Sequence, residues 1–173
     1  MAGLLNTSKV DAAPENAGVS DQILKQIQNG VEAAVPKELK QDYMRVVAAG
    51  MRLMYDQKTS KFMDERMSQS EDAPTAVAKG ISDLLLLLYN ESGKKMSIPA
   101  AMLAAFYLMA EALDYAEKVG KVEVTNEVVD QCTEATWKAV TERFGITKDK
   151  IDQVIAQSQG GQAASQQQPM AGA

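Results

Sequence analysis

A chain of 173 residues, 46% of them hydrophobic, is long enough for one domain with a substantial core and too short for two comfortable ones. Its net charge of -5 argues against a protein that coats nucleic acid, because phosphate binding needs clustered Lys and Arg, and pairs such as Lys94 and Lys95 are too small to reverse the balance. With no histidine the commonest general base and zinc ligand are missing, and a single cysteine, Cys132, excludes an intrachain disulfide. Aromatics make up only 5%, while Ala, Leu, Val, Met and Gln abound, a mix that favours helices because unbranched side chains lose little rotamer freedom there. The predicted fold class is all-α: a single bundle of about five or six helices around a central antiparallel helical hairpin at 74–120.

Residues 1–19 show neither helical nor strand periodicity and are read as a flexible N-terminal arm, with no basic region and apolar run of a secretory signal. The helical domain is predicted over 20–157. Ser20 is a plausible cap for a first helix, with Ile23, Leu24, Ile27 and Val31 at helical spacing. Pro36 fits the first turn of the next, whose face carries Leu39, Tyr43, Val46, Val47, Gly50 and Met54. Thr59 can cap a short helix with Phe62 and Met63 inward, followed by a polar loop at 68–73.

Pro74 opens the third main helix, with an apolar stripe of Val77, Ile81, Leu84, Leu85 and Leu88. Leu86 and Leu87 are surplus to that stripe. At ~100° per residue, five successive leucines circle the helix, so it is either central or offers a second apolar surface. Leu86 shares its stripe with Lys79, Asp83 and Asn90, and the pair Leu86 and Leu87 is the candidate assembly surface. After the turn NESGKK, Ser97 can cap a helix whose seam runs Met102, Phe106, Met109, Leu113 and Ala116. Its alanines allow another helix to come close, and Glu111, Asp114 and Lys118 mark the wet side. Gly120 ends it, Thr125 caps the next, and Val129, Cys132, Thr136, Val140 and Phe144 point inward with Trp137 at the core's edge. Thr147 is read as capping a last short helix through Ile151, Val154 and Ile155, and 158–173 is a low-complexity Gln/Gly/Ala tail.

Catalytic chemistry finds little support. Without histidine there is no Ser-His or Cys-His nucleophile, and no phosphate-cradling Gly-rich loop is present. The rows Glu111, Asp114, Glu117 and Glu127, Asp130, Glu134 lie at helical spacing and read as solvated faces rather than as a metal site. Cys132 sits in an apolar stripe with no base to activate it and reads as core filler. The ten methionines could form an adaptable surface, but core packing is the better reading. No catalytic residue, metal site or cofactor is expected.

The order of features has a further meaning. The segment VVAAGMRLMYDQKTSKFM, a polar loop, AVAKGISDLLLLLYNESGKKMSIPAAMLAAFYLMAEALDYAEKVG, a VTNEVV helix and a Gln-rich tail together resemble virion-associated structural proteins of tailed bacteriophages. The resemblance spans about 46–145 and rests on overall pattern. It implies a non-enzymatic, homo-oligomeric component of the particle, assembled in the host cytoplasm and placed near the portal or tail, or held inside the head and ejected with the DNA. Its partners would be portal, tail or internal proteins, with no sequence-specific nucleic acid binding and a membrane encountered only after ejection. Two other classes stay open: a membrane-inserting ejection or channel protein using the 81–110 hairpin, and a soluble adaptor or assembly chaperone that binds a client helix.

Overall fold

The computed structural model describes residues 17–56, 65 and 72–147. Among them the regular elements are all helical: α1 (Ala17–Ala34), a 3-10 turn (Lys37–Leu39), α2 (Lys40–Tyr55), α3 (Ala73–Glu91), α4 (Ile98–Lys118) and α5 (Asn126–Arg143). The all-α class therefore holds for the described residues. Most of the N-terminal arm, the short helix with Phe62 and Met63, the last helix with Ile151, Val154 and Ile155, and the tail lie outside them.

Local chemistry sets the ends of α3, α4 and α5. Asp72, Ser97 and Thr125 stand in extended conformation as caps and accept from the backbone N–H three residues on, at 3.0, 3.4 and 3.3 Å. Each thereby satisfies a donor the helix cannot. Pro74 and Pro99 sit in first turns, where a missing N–H costs nothing. At the far ends, Gly120 and Gly145 take φ of 70° and 61°, and Lys121 N and Ile146 N donate back to Ala116 O and Thr141 O at 2.9 and 2.8 Å. This left-handed step closes the last turn, and glycine adopts it without a Cβ penalty.

Ser20 departs from the expected role. The first helix begins at Ala17, so Ser20 lies inside α1 and is only 1% exposed; its hydroxyl donates to Glu117 Oε1 of α4 at 2.8 Å. A distant carboxylate has claimed the hydroxyl that local reading assigned to a cap.

The centre of the molecule is α4, which packs against each of the other four helices. Small side chains make this possible: Ala100, Ala101, Ala104, Ala105, Ala110, Ala112 and Ala116 are buried around it, interleaved with Leu108, Met109 and Leu113. Met102 and Phe106, assigned to the inward seam by spacing, are only half-buried, while Leu108, outside that seam, is fully buried. Gly50 explains the fit of α2: a Cβ there would stand 2.6 Å from Leu108 Cδ1, so the bare backbone is what lets Leu108 seat.

The predicted stripe of α3, Val77, Ile81, Leu84, Leu85 and Leu88, is buried throughout. Its broadest contact is with α5. Cys132 lies against Pro74, Arg143 pairs with Asp83, and Phe144 meets Tyr89 edge-on at 5.5 Å, so α3 and α5 run in the same direction.

Candidate functional site

Cys132 is fully buried, its thiol aimed at the Pro74 carbonyl 3.9 Å away. Burial pushes that thiol up to about 12, the Asp72 charge adding to the effect and the Thr136 hydroxyl opposing it, so the reactive thiolate is suppressed.

The carboxylates of α4 are not a plain solvated face. Glu111 accepts from Gln28 Nε2 of α1 at 2.5 Å and from Tyr55 OH of α2 at 3.0 Å. Glu117 accepts from Ser20 of α1 and from Val124 N, at 2.8 and 3.0 Å, tying α1 and the α4–α5 connection to one oxygen. Asp114 stays local, paired with Lys118 one turn on. Spacing alone marks this side as wet because the helix that covers it, α1, is brought there by tertiary packing. Among the described residues no three His, Cys, Asp or Glu side chains converge to hold a metal ion.

Leu86 and Leu87 part company. Leu86 is half-buried, on the stripe of Asp83 that the Arg143 pair brings beside α5. Leu87, ~100° further round, is 45% exposed. The loss of burial is concentrated on the second leucine.

An open groove runs between α2 and α3. Each packs on α4 more extensively than on the other. Two adjoining hollows of about 430 and 520 Å³ share Arg45, Ala49, Leu88 and Glu91. Val46, Ala49, Leu53 and Leu88 make the groove apolar, with Arg45 and Arg52 on the α2 wall and Glu91 on the α3 wall. Arg45 has an exposed partner in Asp42, 3.6 Å away on its own helix. Among the described residues neither Arg52 nor Glu91 is in an ion pair, although they face the same groove. Leu87 lies one turn before Glu91, so the two share a side of α3, and of the two it is Glu91 that lines the hollows.

Elsewhere, Trp137 stacks on Phe106 with ring centroids 6.3 Å apart and planes 12° from parallel, which matches its expected place at the core's edge. By length and composition α4 is the one helix among the described residues apolar enough to cross a membrane, and half of that stretch is buried within the protein. Sequence reasoning found the surplus leucines but not the groove, since the way α2 and α3 flank each other is set by their larger contacts with α4.

No protein-family model matches this sequence, and neither characterised proteins nor solved structures yield a match.

Proposed function

We propose that this chain is a non-enzymatic structural component of a tailed phage particle, assembling in several copies through the α3 face that carries Leu87. The observation that carries the reading is a large leucine 45% exposed on α3, one turn before the Glu91 that lines an open apolar groove. A buried leucine is worth roughly 1.5–3 kcal/mol, so covering even part of one in every copy of an assembly favours association. Placement in the virion, near the portal or tail or as an internal protein ejected with DNA, rests on the sequence pattern described above. The bundle itself is read as centred on an antiparallel α3–α4 hairpin, supported by the six-residue connection between these helices and their mutual contact.

The groove also supports a second reading, an adaptor or assembly chaperone that takes a client helix in place of another copy. One pair of measurements separates the two. Light scattering on the purified full chain should give a defined oligomer, and mass spectrometry of purified particles should find the protein there. A strictly monomeric chain that is absent from particles overturns the particle reading, and co-purification with a client lost from the finished particle establishes the adaptor.

A further inference from the structure

We propose that the α2–α3 groove receives α3 of a second copy of this chain, with Leu87 of one copy entering the groove of the next and Glu91 of the first meeting Arg52 of the second. This rests on the self-association proposed above and assigns its two halves to residues. The donor half is a short ridge. Leu87 and Glu91 are four residues apart on one side of α3, ~6 Å along the helix, presenting an apolar knob and a carboxylate together. The acceptor half has the complementary order. Val46, Ala49 and Leu53 give an apolar wall across the two hollows, and the exposed Arg45 and Arg52, seven residues apart and thus ~10.5 Å along α2, stand on its solvent side.

Charge selects a second copy as the occupant. Among the described residues the Arg52 guanidinium and the Glu91 carboxylate line opposite walls and are in no ion pair, so each can meet an opposite charge from outside. A neighbouring α3 brings the opposite sign to Arg52 at the same moment that it fills the apolar wall with Leu87. Complementary charges of this kind set register and suppress wrong partners more than they add affinity, and the apolar knob supplies the burial. The surface is self-complementary, since every copy owns one ridge and one groove. Ridge and groove share Glu91 and so belong to one patch, and a patch that pairs with itself forms a closed two-fold contact.

The test uses the full chain and its oligomeric state by sedimentation velocity, with thermal melts to confirm folding. Leu87→Glu should weaken self-association by at least about tenfold while the cooperative melt persists. Arg52→Glu and Glu91→Arg, both on exposed side chains, should each weaken it, and the double charge swap should restore it, because the pair re-forms between copies with signs exchanged. Singles that weaken association without rescue in the double variant overturn the Arg52–Glu91 pairing. An oligomer indifferent to all four variants overturns the groove while leaving self-association standing, and a wild-type chain that is monomeric at every concentration overturns both. Should the wild-type complex contain an unrelated polypeptide in the groove in place of a second copy, the inference is likewise refuted.

Discussion

Gly50→Ala probes how closely α2 approaches α4. The added methyl would stand 2.6 Å from Leu108 Cδ1, 2.9 Å from Cδ2 and 3.3 Å from Cγ, against an ordinary carbon–carbon separation of about 3.5–4.0 Å. Leu108 is fully buried and has no solvent to swing into, so either it leaves its rotamer or the two helices part. Such overpacking costs about 1–3 kcal/mol, from which the better helix propensity of alanine returns about 1. Gly30 supplies the control. It is exposed in α1 with nothing within 4 Å of its would-be Cβ, so Gly30→Ala should stabilise by roughly 0.5–1 kcal/mol. The two variants should thus differ by the overpacking term, about 1–3 kcal/mol, or roughly 3–10 °C in melting temperature for a chain of this size. Calorimetric or circular-dichroism melts read this directly. Combining Gly50→Ala with Leu108→Ala should cost less than the sum of the two, because the second removes the obstruction met by the first. If Gly50→Ala raises the melting temperature as much as Gly30→Ala does, the close approach of α2 to Leu108 is not a feature of the folded protein.

Three further outcomes follow from polar groups held between the helices. Glu117→Ala removes the acceptor of Ser20 Oγ and of Val124 N, both on buried residues, and should destabilise by about 1–3 kcal/mol with faster hydrogen exchange at Val124; unchanged exchange there would refute the tie. At high pH, Tyr43 is raised to about 12 by burial first and then by the charge of Glu32, and Tyr55 is raised further, by burial and then by its bond to Glu111. Unfolded tyrosines ionise near 10, so above that pH the native state holds more protons and stability falls as pH rises toward 12, while below 10 this contribution is fully present. Tyrosinate absorbance in the folded protein at pH 11 should therefore fall short of the value for its five tyrosines, and Cys132 should resist thiol reagents until the chain unfolds; full absorbance or a reactive native thiol would contradict the burial described.

The faces of the helices were legible because each depends on side chains one or two turns apart. The stripe Val77, Ile81, Leu84, Leu85 and Leu88, and on α2 the set Tyr43, Val46, Gly50 and Met54, follow from the 3.6-residue repeat and are buried. The caps Ser97 and Thr125 follow from local hydrogen bonding in the same way. Ser20 and the carboxylates Glu111 and Glu117 were not legible. Their partners lie 97, 83 and 56 residues away along the chain, and nothing near them in sequence distinguishes a tie between helices from a solvated side chain. The two surplus leucines were visible as a pair, but a helical wheel has no means of saying which would be half-buried and which exposed.

By itself, then, the sequence determined that this protein is helical, where α3, α4 and α5 begin and end, and which face of α2 and α3 is apolar, since these are settled by interactions spanning a turn or two. Tertiary structure alone decided that the alanine-rich α4, not the leucine-rich α3, is the hub. Small side chains let four helices approach one axis, and only the assembled set of neighbours shows that α4 meets all of them while α2 and α3 touch each other less than either touches α4, leaving a groove between them.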